Sequence, residues 1–502
     1  MQNDEMQEYP KIITMYLPQY HEIPENNEWW GEGFTEWTTV TKARKLYAEH
    51  NQPNLPYENY YYDLLDKTTM EWQADLMKRY NVYGQCFYHY WFKNGRKVLE
   101  KPAENLLNWP DIDMPFCFSW ANEPWIRSWS NIKDANVWSS KFEIKGGTEV
   151  LLEQEYGGKK EWKSHFEYLL PFFMDERYIK IDRKPIFIFY KPDVIPRISE
   201  MMDYWNTLAM ENGLAGIYFI GTNTYNDEVF DARMWQESQK SRKFCNSHYV
   251  DNILCYDYDE IWMRILQNNV SVEKKMFLGG VVGYDDTPRH ERRGSIIINS
   301  SPKKFQEYLA ALIEKSKKRK NEYVFINAWN EWGEGMYLEP DQKNGYAYLE
   351  AVKKATTFPK ISEEIKEKMI YSGNDDANVF RVAERYEIYW KLLERWMRNK
   401  RQGKTIEQYL KERGINRIAI YGMGMLGRHL FEELKESEIK VLYGIDKNAR
   451  NITVDIPLYI PDEKYQEVDA IIISVVYQNE SIINMLKEKT AYPILLLQDI
   501  VL

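Results

Sequence analysis

Eight short β-rich apolar runs, separated mostly by segments of helical spacing, constrain this chain more than any other feature. They are KIITMYLP (11–18), YGQCFYHYW (83–91), MPFCFSWANEP (114–124), PIFIFYKP (185–192), GIYFIGTN (216–223), ARMWQ (232–236), FLGGVVGYDD (277–286) and YVFINAWNE (323–331), of which the sixth is weakest. Stretches such as TTMEWQADLMKRY (68–80) and KKFQEYLAALIEKSKKRK (303–320) carry helical spacing. Strand then helix, repeated about eight times, is the pattern of an α/β chain closing into a (β/α)8 TIM barrel. The expected division is a barrel over 1–360, a helical linker over 361–412 and a small Rossmann-like α/β domain over 413–502.

Polar and aromatic residues gather where the runs end: Gln19–Tyr20–His21, His89–Tyr90–Trp91, Asn122–Glu123, Tyr190–Lys191, Thr222–Asn223, Trp235–Gln236, Asp285–Asp286, and Glu331 with Glu334. In a barrel all these ends open on one face, the face that carries the active site. Strands ending in polar loops would explain the polarity, but less well the repeated pairing of carboxylates and carboxamides with tryptophan.

NAWNEWGEG (327–335) is the sharpest of these ends. Two glutamates at a strand end fit glycosidic chemistry, in which one group protonates the departing oxygen and the other acts as base or nucleophile. Like charge and the apolar walls of Trp329 and Trp332 raise a carboxyl pKa, so one of Glu331 and Glu334 can stay protonated near neutrality. Gly333 and Gly335 let the backbone turn tightly around them. The carboxylates, Asp285 and Asp286 included, lack an imidazole at ligand spacing, so no metal site is expected. After the seventh run, Arg289, Arg292 and Arg293 have the form of an anion holder or of a surface salt-bridge cluster.

Past residue 360 the pattern changes. Val379, Val382, Tyr386, Tyr389, Leu393 and Trp396 form a heptad-like stripe that needs a partner, either a neighbouring domain or a second copy. INRIAIYGMGMLGRHLFEELKE then runs a strand into Gly422-x-Gly424-x-x-Gly427 and a helix, with Asp446 downstream where an acidic residue would meet a ribose hydroxyl. The expected ligand there is a nucleotide or nucleotide sugar; the competing reading is a docking module that binds none. The barrel chemistry itself calls for no cofactor.

Composition narrows the partners. A net charge of −10 disfavours nucleic acid, whose phosphates are bound by lysine and arginine. Aromatic residues make up 15% of the chain, with 18 Trp and 38 Tyr, which suits the apolar faces and hydroxyls of sugars. The N-terminus lacks a basic stretch followed by an apolar one, and no run approaches membrane-span length, so a cytoplasmic protein without an integral membrane segment is expected. Cys86, Cys117, Cys245 and Cys255 show no C-x-x-C spacing and read as free thiols.

YLPQYHEIPENNEWWGEGFTEWTTVTKARKLYAEHNQPNLP (16–56), FSWANEPW (118–125), GYDDTPRH (283–290) and NAWNEWGEG together resemble the WbsX-type family, named as glycosyltransferases of bacterial surface polysaccharide clusters. That family is similar in turn to glycoside hydrolase family 99, endo-α-1,2-mannosidases and mannanases on a (β/α)8 barrel, chiefly through N-E-W-x-E-G. The resemblance implies that Glu334 is the acid/base and that Glu331 assists the sugar 2-hydroxyl in attacking the anomeric carbon, with net retention. It also implies a sugar-holding role for Glu123, beside Asn122. By position, Tyr16, Trp91, Tyr190 and Trp329 are expected as subsite walls, and Asp286 and Arg289 as polar contacts. The implied substrate is an oligosaccharide or polysaccharide, free or lipid-linked, and the implied partners are polysaccharide-assembly proteins. Retaining, hydrolase-like action on a glycosidic bond is one reading, transfer from an activated sugar a second, and a non-catalytic glycan-binding protein a third.

Overall fold

In the computed structural model, which describes residues 9–126, 150–224, 229–243, 245–267, 275–370, 389–449, 452, 454–461, 463, 465–476 and 479–501, all eight runs form strands. They are β1 (Lys11–Tyr16), β2 (Val82–His89), β3 (Phe116–Trp120), β4 (Lys184–Phe189), β5 (Tyr218–Thr222), β6 (Ala232–Met234), β7 (Lys275–Val281) and β8 (Tyr323–Asn327). Each pairs in parallel with the next, and β8 pairs with β1, which closes the barrel. Strands buried on both faces read as continuous apolar runs rather than alternating ones, as in β8, whose five residues are all buried.

The weak sixth run is a barrel strand after all, paired to β5 and β7. It is short because the chain beyond it crosses close to β7: a Cβ on Gly279 would lie 2.1 Å from the Trp235 carbonyl oxygen. Two helices fall where their spacing puts them, Lys67–Arg79 and Pro302–Lys318. Asp66 caps the first by accepting from the Thr68 amide, and Ser301 caps the second by accepting from that of Lys304. The helix Glu363–Ile370 packs against the helices Tyr258–Gln267 and Pro302–Lys318 and so belongs with the barrel.

A second unit contains the described residues from 389 onward. Its five parallel strands, β9 (Arg417–Tyr421), β10 (Lys440–Ile445), β11 (Leu458–Tyr459), β12 (Ala470–Ile473) and β13 (Ile494–Leu496), lie in the order β11-β10-β9-β12-β13. The first strand is central, the order of a doubly wound sheet. Alternate residues serve opposite faces: Ile418 and Ile420 join one apolar cluster, Ala419 and Tyr421 another. Residues 389–401 are helical, and Tyr389, Leu393 and Trp396 pack into the first of those clusters. The other half of the stripe, Val379, Val382 and Tyr386, lies outside the described residues.

The glycine loop after β9 divides its labour. Gly422 turns at φ +91° and donates to the Ile445 carbonyl, while a Cβ on Gly427 would sit 2.0 Å from the Gly422 oxygen. A Cβ on Gly424 would meet nothing within 4 Å. Asp446 accepts from the Met423 amide at 2.7 Å and so braces the loop. Gly427→Ala should therefore cost about 3 kcal/mol or more, against less than about 1 kcal/mol for Gly424→Ala, in denaturant unfolding followed by a probe in this unit. Equal losses would contradict the assignment of close packing to Gly427 alone.

Among the described residues, no helix is long and apolar enough to cross a membrane.

Candidate active site

Three neighbouring strands, β7, β8 and β1, place the charged centre. Beyond β8, Asn330 is tied to β1's end in both directions, accepting from the Leu17 amide at 2.8 Å and donating to its carbonyl at 3.0 Å. The chain then makes a tight turn, Trp332–Glu334, closed by Gly335 at φ +61°, where a side chain would be strained. Glu331 and Glu334 project from either end of this turn. After β7, Asp285 accepts from the amide and hydroxyl of Thr287 and starts the short helix Thr287–His290, which carries Arg289. After β1, the helix Glu36–Thr41 begins with a bond from the Glu36 amide to the Gln19 carbonyl.

Arg289 joins all three. Its Nη1 donates to Glu334 Oε1 at 2.5 Å, Nη2 to Glu36 Oε1 at 2.7 Å and to Glu331 Oε2 at 3.4 Å, and Nε to Glu36 Oε1 at 3.0 Å. Glu36 is 2% exposed and Glu331 8%, so these are buried charges. Gly333 makes the approach possible, since a Cβ there would fall 1.8 Å from Glu36 Oε1. Its role is close passage of a carboxylate.

One guanidinium cannot neutralise three carboxylates. Burial pushes the Glu331 carboxyl well above the ordinary range, the neighbouring Glu334 charge adds to this, and Arg289 opposes both. Glu334 is raised as well, again by burial first, with Arg289 opposing. The shorter contact of Arg289 with Glu334 favours the ionised form of Glu334 over that of Glu331.

A fourth carboxylate lies behind them. Glu339 accepts from Trp332 Nε1 at 2.8 Å, Gln73 Nε2 at 2.8 Å and the Tyr62 hydroxyl at 2.9 Å, and burial pushes it up to about 7 in spite of these donors. It anchors the tryptophan between the two catalytic candidates, whose ring also stacks on Tyr337 with centroids 3.8 Å apart.

A cleft of about 410 Å³ opens over this centre. Of the residues expected from sequence, Glu331, Glu334, Arg289, Glu123 and Tyr190 line it. Glu123 is ion-paired with Lys191. Four others are buried and do not line the cleft. Tyr16 donates to Gln73 at 2.7 Å, Trp91 stacks flat on His165 with centroids 4.5 Å apart, Trp329 is held by Met15, and Asn122 spends its carboxamide on the Lys191 backbone. Asp286 is likewise consumed internally, accepting from the Ser295 amide and the Tyr284 hydroxyl. None of these five is among the residues that line the cleft.

Sequence reasoning missed Glu36 and Tyr88 and expected Tyr90 only as part of a strand end; all three are in the lining. Glu36 lies inside the long GFTEWTTV stretch, but nothing in its spacing relates it to Glu331. Tyr88 and Tyr90 follow from strand alternation: they share one parity and point into the cleft, while His89 and Trp91 take the other and meet His165. Gln236, expected only as part of a strand end, donates to the Tyr88 hydroxyl at 2.7 Å.

A (β/α)8 barrel with paired glutamates in an aromatic cleft is a frame suited to carbohydrate chemistry, and the family match makes this a carbohydrate-active enzyme. The family model described as "Glycosyltransferase WbsX" matches residues 12–352, and the chain belongs to that family. Two relatives, both described as uncharacterized protein WxcX, from two strains of Xanthomonas campestris pv. campestris, are 30% identical over 371 residues, covering 70% of this chain and 51% of theirs. The chain thus spans about half the length of the curated relatives it matches. Among solved structures, a glycoside hydrolase-like protein is similar at TM-score 0.45 and 11% identity, over 72% of this chain and 97% of its own. The GH99 endo-alpha-mannosidase from Bacteroides thetaiotaomicron follows at TM-score 0.42 and 14% identity, over 71% and 98%.

Arg289→Ala removes the cation that lowers Glu331 and Glu334, so their folded pKa values rise further above the unfolded value. The folded state then binds more protons than the unfolded one, and stability falls as pH rises. The expected loss is about 3–5 kcal/mol at neutral pH and distinctly less near pH 5, read by urea unfolding. A loss independent of pH would contradict the buried-carboxylate account.

Proposed function

We propose that the protein transfers a glycosyl unit from an activated sugar during assembly of a surface polysaccharide, with Glu331 and Glu334 acting at the sugar centre. Membership of a family described as glycosyltransferases supports transfer. The observation that carries the chemistry is the buried pair of carboxyls at unequal distances from one arginine in the same cleft, both raised by burial. In this reading the protonated carboxyl gives its proton to the departing oxygen as the anomeric C–O bond breaks. The ionised partner accepts a proton from the sugar 2-hydroxyl as that oxygen bonds to the anomeric carbon. The acceptor hydroxyl then breaks this bond, giving its proton to the carboxylate left by the first step while the 2-oxygen takes its own proton back. The two displacements give net retention.

The resemblance makes Glu334 the acid, whereas its shorter contact with Arg289 favours the proton on Glu331. The assigned roles require substrate to displace Arg289 from Glu334, whose side chain is a quarter exposed on the cleft wall. The glycine loop of the second unit is proposed to take a nucleotide or nucleotide sugar, with Gly424 left open for backbone approach to phosphate. Surface-polysaccharide assembly proteins are the proposed partners, and the cytoplasm the proposed site of action.

A second reading, cleavage or transfer of an existing glycosidic bond, is favoured by one feature of the cleft. Among the described residues, the lysine and arginine that line it, Lys191 and Arg289, are both ion-paired to glutamates and so are not spare for a diphosphate.

Both readings predict that Glu331→Gln with Glu334→Gln lowers turnover by about 10²-fold or more. Mass spectrometry of products from nucleotide sugars, α-mannosides and mixtures of the two separates them. Nucleotide release that depends on an acceptor supports transfer, and free sugar from glycoside alone supports cleavage. Undiminished turnover in the double variant would overturn the chemistry common to both.

A further inference from the structure

A second cleft, of about 420 Å³, opens on the same face of the barrel. Its walls come from segments that follow β1 (Tyr47, Asn54), β7 (Tyr284, Asn299, Ser300) and β8 (Tyr348). Tyr284 lines both clefts, and Gly335, next in the chain after Glu334, lines the second. Tyr337, stacked on Trp332, lines it too. Only a narrow ridge of chain therefore separates the second cleft from the reacting pair.

Its most constrained feature is Tyr47. The half-buried ring lies flat on His50, with centroids 4.9 Å apart and planes 13° from parallel. His50 Nδ1 accepts from the Leu46 amide at 3.1 Å, which leaves the proton on Nε2 to donate to Asp285 Oδ2 at 2.9 Å. Gln52 donates to the same oxygen at 2.8 Å, and Thr287 holds the other. A buried histidine, a buried carboxylate and a buried carboxamide thus fix one face of Tyr47, which also packs beside Ile253, Cys255 and Ile296 and lines the cleft half-buried. The hydroxyl, pushed up to about 12 chiefly by burial, is neutral at working pH.

The remaining chemistry is that of hydroxyl recognition. Carboxamides, a serine hydroxyl and tyrosine rings line it together with a patch of valine and isoleucine; Glu49 and Lys343 are opposite in charge, and the Asp285 carboxylate is turned to His50, Gln52 and Thr287. A preorganised aromatic face with planar polar groups around it matches the alternating C–H faces and hydroxyls of a sugar ring. Fixing the ring in advance reduces the ordering cost of binding.

We infer that this second cleft is a glycan-binding subsite, which holds an uncharged stretch of oligosaccharide beside the reaction cleft with Tyr47 as its stacking platform. The inference rests on the reading that the barrel acts on a saccharide chain, and it adds where the non-reacting part of that chain lies.

The test is calorimetric titration of full-length Glu334→Gln protein with neutral α-manno-oligosaccharides of increasing length and with a methyl α-mannoside. Affinity is expected to rise with length, and Tyr47→Ala to remove about tenfold, or about 1.4 kcal/mol, from the longer ligands alone. Tyr47→Phe, which keeps the ring, should retain the effect and control for folding. Loss of the length dependence without any turnover by the parent enzyme would uphold the subsite and defeat the proposed function. Turnover of long glycans with KM unchanged in Tyr47→Ala would do the reverse. Equal binding of uronic-acid oligosaccharides, or no binding of any neutral chain, would overturn the inference.

Discussion

A single buried guanidinium among three buried or part-buried carboxylates is the interaction on which the rest of the catalytic face depends. Desolvation of ions costs several kcal/mol each, and the attraction repays it only where geometry is tight. Arg289 meets that condition with contacts to Glu36 and Glu334 of 2.7 and 2.5 Å, and leaves Glu331 at 3.4 Å. Burial and the deficit of positive charge together raise the Glu331 and Glu334 carboxyls. The same contacts join segments following β1, β7 and β8, which are adjacent in the barrel, so the electrostatic centre also fastens the loops that form the cleft.

Behind this centre, uncharged donors do comparable work. Tyr16 donates to Gln73, Gln73 to Glu339, and Trp332 and Tyr62 to Glu339 in turn. The chain of bonds runs from the end of β1 to the turn between Glu331 and Glu334. It explains why Tyr16 is fully buried: its hydroxyl starts the network that orients Trp332. Asp285 acts similarly on the other side of the turn, binding His50, Gln52 and Thr287 and so joining the segment after β1 to the start of the Arg289 helix.

The barrel was legible because parallel strands buried on both faces leave apolar runs; ARMWQ was the weakest of them because buried Arg233 interrupts it. Glu331 and Glu334 were legible because they share one strand end. Glu36 was not, because its approach to Arg289 depends on the missing Cβ of Gly333, a relation across some three hundred residues that no local spacing encodes. Trp91 was misplaced for a local reason: parity sends it with His89 toward His165, and sends Tyr88 and Tyr90 to the cleft. The stripe of residues 379–396 announced that it needed a partner, and in its described half that partner is the sheet of the second unit.

The most direct test of the central claim is a carbon-13 NMR titration of glutamate side-chain carboxyls in the intact protein, with Glu331 and Glu334 identified by single glutamine substitutions. The account predicts that both titrate above the ordinary range near 4.3, that Glu331 is the higher, and that Glu334→Gln lowers it by removing a like charge. Two carboxyls titrating together near the ordinary value would contradict it.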